Sequence, residues 1–125
     1  MRFISIVRAT KDSEAGLPPN PALMVAMGKL GEEAMREGVV VEMAGLAPSS
    51  MGARVCLSGG KITVVDGPFA EIKELIAGYA ILEVKSREEA IEQARRFMRV
   101  HLDALGPSYE GECEIRQIFG GQEQP

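Results

Sequence analysis

From Arg2 to Arg8 the apolar side chains occupy both parities of a two-residue period, which predicts a central strand covered on both faces. Residues Lys11 to Asn20 are polar and end in Leu17-Pro18-Pro19-Asn20-Pro21, a loop in which Asn20 can cap a helix that begins at Pro21. That helix is predicted to run to about Glu37. Leu23, Met27, Leu30 and Ala34 form its apolar stripe, and Lys29, Glu32, Glu33 and Arg36 lie opposite. Gly28 and Gly31 each cost about 1 kcal/mol relative to alanine inside a helix, so they predict close packing against a sheet. Gly38 is a natural stop.

A second strand is predicted from Val39 to Gly45, followed by the loop Leu46 to Gly52. Two short strands then flank Gly59-Gly60, a turn pair suited to positive φ, which aligns Leu57 with Ile62 and Val55 with Val64. In that register Ile62, Val64 and Asp66 share one face, expected to look towards the core. After another apolar strand, Ala77 to Val84, Ser86 and Glu89 predict a capping box opening a helix from Arg87 to about Arg99. Its stripe is Ala90, Ala94, Phe97 and, one turn further, His101, while Arg95, Arg96 and Arg99 complement the dipole at its end. Gly106-Pro107 breaks the chain. The last strand, Glu112 to Phe119, alternates Cys113, Ile115 and Phe119 against Glu112, Glu114 and Arg116. The tail Gly120 to Pro125 is polar and expected to fray.

Strand, helix, strand, hairpin, strand, helix, strand is the split β-α-β plan of an α+β, ferredoxin-like domain with an inserted β-hairpin, one domain over residues 1–125. Two helices cover one face of such a sheet. The other face predicts a partner, and for a chain this small a second copy is the expected one, giving a homodimer.

Composition narrows the function. A net charge of −4, with both signs mixed along the chain, leaves no basic stripe for phosphates, so nucleic acid is not expected as a partner. No apolar run approaches the roughly 20 residues of a membrane span, and Met1-Arg2-Phe3-Ile4-Ser5 lacks a secretory pattern, so the chain reads as cytoplasmic with no membrane contact. Cys56 and Cys113 are isolated and read as small apolar side chains. No metal, nucleotide or flavin motif is present, so no cofactor is expected.

One stretch reads as chemistry: Asp66-Gly67-Pro68-Phe69-Ala70-Glu71-Ile72-Lys73-Glu74, where Gly67-Pro68 bends the chain at a strand end. Asp66 reads either as a general base or ligand-binding carboxylate, or as a cap of the following turn. Glu71 and Lys73 share a face if the segment is extended, and Glu71 can return towards Asp66 to form a carboxylate pair suited to acid–base work. The alternative for Lys73 is a solvated ion pair. His101 is the single histidine. It reads as a catalytic base or as a hydrogen-bonded residue at a helix end. Tyr79 and Arg54 are candidates to line the same cleft as phenol donor and anion anchor. Ser49 and Ser50 lack a nucleophile-elbow pattern and read as loop residues. Ser58-Gly59-Gly60-Lys61 departs from the phosphate-loop pattern and reads as a turn.

Together, the nine residues from Asp66 to Glu74 resemble the signature of the DGPF branch of the YCII-related family. The likeness extends to Gly45-Leu46-x-Pro48, Gly59-Gly60-Lys61, Gly78-Tyr79 and Gly111-x-Cys113-x-Ile115-Arg116. The resemblance implies a ferredoxin-like fold of the dimeric α/β-barrel type, usually a homodimer in the bacterial cytosol. Some members are associated with extracytoplasmic-function sigma factors. A His-Asp pair is proposed in another branch; Asp66 matches its Asp, and its histidine lies near the start of the chain, where this sequence has none. Residues and resemblance lead to two expectations. The first is a homodimer that binds a small molecule, or transforms one by cofactor-free proton transfer or hydrolysis, in a cleft bearing Asp66 and Glu71. The second is a regulatory or interaction module without catalysis.

Overall fold

The computed structural model describes residues 1–120, so the expectation for residues 121–125 lies outside the described part. The elements are β1 (Arg2–Arg8), α1 (Lys11–Glu14), α2 (Pro21–Arg36), β2 (Val40–Gly45), β3 (Ala53–Ser58), β4 (Lys61–Asp66), β5 (Ile76–Glu83), α3 (Arg87–Leu105) and β6 (Cys113–Gln117). Single 3₁₀ turns span Ser49–Met51 and Ile72–Glu74.

Local chemistry opens the helices. Asn20 Oδ1 accepts from the N–H of Ala22 at 2.8 Å and of Leu23 at 3.3 Å, and Pro21 fills the first helical position, where no N–H is required. The segment after β1 is more ordered than a polar loop. Thr10 and Ser13 cap each other and start α1. At α3, Ser86 Oγ accepts from the Glu89 N–H at 3.1 Å, but Glu89 turns its carboxylate to the N–H of Lys85 instead of Ser86, so only half of the expected capping box forms.

The main sheet has the order β2-β5-β1-β6 with every neighbouring pair antiparallel. The chain is α+β, and this order with both long helices on one face is consistent with a ferredoxin-like fold. Phe3 pairs with Leu82 and Ser5 with Ala80, and this parity faces the helices. Phe3, Leu82, Val84 and Ala90 make the buried core. The opposite parity, Ile4 and Ile6 of β1 with Ile81 and Tyr79 of β5, is half-buried and receives no helix. β1 is therefore central but covered by the described residues on one face only. Arg96 of α3 binds the two helices together, forking onto Glu37 at 2.7 and 3.2 Å and reaching Glu33 at 3.3 Å.

Among the described residues β3 and β4 pair only with each other, in the register the Gly59-Gly60 turn predicts: Val55 opposite Val64 and Leu57 opposite Ile62. Their surroundings differ from expectation. Val55, Leu57, Ile62 and Val64 are 71, 74, 71 and 65% exposed, so the row ending in Asp66 faces no core among the described residues. Pairing register is set by the turn, whereas burial needs a second layer, and among the described residues none reaches the hairpin. Two smaller corrections have similar causes. Phe119 lies beyond the shorter β6 and is exposed. Of the helix glycines, Gly31 is packed, since a Cβ there would sit 2.9 Å from Met43 Sδ, while a Cβ on Gly28 would meet nothing within 4 Å.

Candidate functional site

The Asp66–Glu74 stretch is held as a folded turn. Gly67 donates its N–H to the Gly52 carbonyl at 2.9 Å, closing the base of the hairpin, and the Gly67-Pro68 peptide is cis. A Cβ on Gly67 would lie 1.8 Å from the Ser49 carbonyl oxygen, so only glycine fits. The Phe69 N–H donates to Ser49 Oγ at 3.0 Å, and the Arg54 guanidinium stands 3.9 Å from the centre of the Phe69 ring. Ser49 in turn donates its N–H and its hydroxyl to the two carboxylate oxygens of Glu14, at 2.9 and 2.5 Å. Glu14 and Ser49 thus join α1 to the turn. No local pattern in the sequence marks this pair; the only hint is the Gly45-Leu46-x-Pro48 loop that delivers Ser49.

Asp66 ends β4 opposite Ala53 and is exposed. Glu71 and Lys73 are exposed as well. They do not alternate along an extended segment, because Glu71 immediately precedes the helical turn Ile72–Glu74 that contains Lys73. Among the described residues no hydrogen bond or ion pair links Asp66, Glu71 and Lys73 to one another. Arg54 lies 3.9 Å from Glu74 in an exposed pair. The structure therefore ties Arg54 to the turn through Phe69 and does not gather the acidic side chains around a common cavity.

A cavity does exist elsewhere, between the sheet and helices α2 and α3. Its volume is about 960 Å³, and its walls are largely apolar: Leu23, Met27 and Gly31 from α2, Phe97 from α3, and Val7 and Ala80 from the sheet. Small side chains on the strands produce the space. Ser5, Gly45, Gly78 and Ala80 stand where bulkier residues would fill the layer beneath the helices.

Of the candidates proposed from sequence, His101 and Tyr79 line this cavity, whereas Asp66, Glu71, Lys73 and Arg54 do not. Tyr79 turns its hydroxyl to the helix-free face, where it donates to Glu42. That bond holds the phenol protonated and raises its pKa. His101 is only 6% exposed, because α3 continues past Arg99 to Leu105. Its Nδ1 lies 2.9 Å from the Phe97 carbonyl oxygen, which can only accept, so Nδ1 carries a proton and Nε2 is the acceptor of the neutral ring. Phe97 at 4.5 Å and Tyr109 at 5.4 Å pack the ring between them.

Nε2 has no hydrogen-bond partner among the described residues, and none of their fully enclosed side-chain nitrogens or oxygens is left unpaired. Nε2 is therefore accessible, and the space His101 borders is the cavity. Tyr109 and Cys113 complete this end of the molecule. Burial raises the pKa of the Tyr109 phenol, with Cys113 adding to the effect. Burial also raises that of the Cys113 thiol, against the opposing pull of the Ser5 hydroxyl beside it. Sequence periodicity placed His101 on the apolar stripe; Ser5 and Tyr109 carried no comparable signal.

Among the described residues there is no cluster of three or more His, Cys, Asp or Glu side chains able to hold a metal, and no helix is long and apolar enough to cross a membrane. Residues 1–105 match the YCII-related domain. The chain is also 37% identical over 94 residues to an uncharacterised protein of Rhizobium meliloti (strain 1021), an alignment covering 75% of this chain and 63% of that relative.

Proposed function

The chain belongs to the YCII-related family, and from that premise we propose that it is a homodimer that binds an apolar small molecule in the cavity beneath α2 and α3. The cavity carries the reading. Protein interiors ordinarily hold few voids larger than a water molecule, whereas sites for small organic ligands run from about 300 to 1,000 Å³ with apolar walls and a few polar groups. A volume of about 960 Å³ lined by apolar side chains and by His101, whose Nε2 is accessible, has the second character. In a catalytic version of this reading, His101 is the group suited to accept a proton, and the chemistry is cofactor-free proton transfer. An acid–base role for Asp66 and Glu71 belongs to a separate cleft between copies. The Asp66–Glu74 stretch supports assignment to the DGPF branch.

Two faces support the homodimer and its α/β-barrel arrangement. The helix-free face has an apolar centre, Ile4, Ile6, Ile81 and the Tyr79 ring, rimmed by the Arg8–Glu114–Arg116 and Arg2–Glu83 ion pairs, the usual layout of an interface. The hairpin presents Val55, Leu57, Ile62 and Val64 unburied. A second copy of the chain would bring both surfaces out of water at once.

The cavity reading is tested by titrating the protein with the neutral probe 1-aminoanthracene. Saturable binding at one site per chain is expected, with loss in an Ala80→Phe variant whose thermal melt remains cooperative. No saturable binding at millimolar protein, or binding indifferent to Ala80→Phe, would overturn it.

A further inference from the structure

We infer that the ligand of this cavity is an uncharged apolar alcohol whose hydroxyl donates to His101 Nε2. The inference rests on the cavity reading above and adds the chemical class. The Phe97 carbonyl at 2.9 Å fixes the proton on Nδ1, and the flanking rings of Phe97 and Tyr109 fix the plane of the imidazole. The side chain is more than nine-tenths buried, and its remaining polar atom has no partner among the described residues. Because Nε2 is accessible, water can donate to it in the free protein, so a ligand that displaces that water and supplies a donor in its place binds more tightly than one that supplies only apolar surface.

Charged ligands fit less well. The charged residues lining the cavity are Arg8, Asp12 and Glu32. Arg8 is engaged by Glu114, so a carboxylate finds no free cation among the described lining residues. Asp12 and Glu32 are exposed at the rim and repel an anion further. An ammonium group would reach Nε2 only by leaving water for a wall without a buried carboxylate. A hydroxyl carries one donor, no net charge and a small desolvation cost.

Calorimetric titration of the wild-type protein at pH 8, where an ordinary imidazole is neutral, separates the possibilities. The ligands are 1-octanol, its isomer heptyl methyl ether, octanoate and octylammonium. The alcohol is expected to bind about three- to tenfold more tightly than the ether, the range of one neutral hydrogen bond, and more tightly than either ion. The preference is expected to disappear in His101→Phe, which keeps the ring stack. Equal binding of alcohol and ether by the wild type would overturn the hydroxyl contact while leaving the apolar cavity standing. So would tighter binding of octanoate or octylammonium. Failure of all four ligands to bind would overturn the cavity reading with it. The wild-type comparison decides the question even if His101→Phe fails to fold.

Discussion

Ser49 and Glu14, 35 residues apart in sequence, are joined by two hydrogen bonds, from the Ser49 N–H at 2.9 Å and its hydroxyl at 2.5 Å to the two oxygens of one carboxylate. The same hydroxyl oxygen accepts from the Phe69 N–H. Ser49→Ala therefore removes the hydroxyl donor to Glu14 and the acceptor for Phe69 together, leaving the backbone N–H bond to Glu14. A loss of about 1–3 kcal/mol is expected in urea unfolding, because partly buried groups are left without partners. Glu14→Ala should fall in the same range, and the double variant should cost less than the sum. Additive losses would show that the two side chains do not act as a unit.

Gly67 and Gly28 separate a required glycine from a dispensable one. Gly67→Ala would press a Cβ to 1.8 Å from the Ser49 carbonyl oxygen, and a loss of about 3 kcal/mol or more is expected as the turn shifts. Gly28→Ala enters open space on α2 and should stabilise by about 0.5–1 kcal/mol through helix propensity. Thermal melts of both variants provide the check; a neutral Gly67→Ala would rule out the close approach.

Acid should weaken the fold through three carboxylates. The Arg96 guanidinium lowers the pKa of Glu37, the N-terminal ammonium and Arg2 lower that of Glu83, and Arg116 and Arg8 lower that of Glu114. A carboxylate with a depressed folded-state pKa binds fewer protons folded than unfolded. Its contribution is present above the ordinary value of 4.5 and is lost as pH falls through the lower folded value. Urea midpoints should stay level from pH 7 to about 5 and fall below about 4.5. Arg96→Met should shallow that fall, and because these ion pairs remain in contact with solvent, added salt should as well.

The two cysteines should differ in reactivity. Cys56 is exposed on the hairpin, while Cys113 is half-buried with its thiol held protonated by burial. A thiol reagent at pH 8 should modify Cys56 promptly and Cys113 only in denaturant, since the thiolate is the reacting form. Equal rates in the folded protein would contradict the burial of Cys113.

Charge on the hairpin should break the proposed dimer. Light scattering of the wild type is expected to give twice the chain mass of 13.5 kDa, and Leu57→Lys or Ile62→Lys should return it towards that single value. A wild-type mass of one chain at micromolar concentration would end the dimer proposal.

The sequence by itself determined the parts of this protein that depend on neighbours a few residues away. Asn20 with Pro21, the stripe from Leu23 to Ala34, and Gly59-Gly60 each specify geometry through contacts within one turn, so their outcomes were legible. His101 was legible as a stripe position for the same reason. Only the tertiary structure decided what depends on the distance between layers. The width of the gap beneath α2 and α3 follows from small residues on three different strands, and the Ser49–Glu14 contact closes over 35 residues. The exposure of Ile62 and Val64 depends on whether a second layer covers their face, which neither periodicity nor turn chemistry encodes. Asp66 accordingly stands at a well-defined strand end whose surroundings are set by packing over long range.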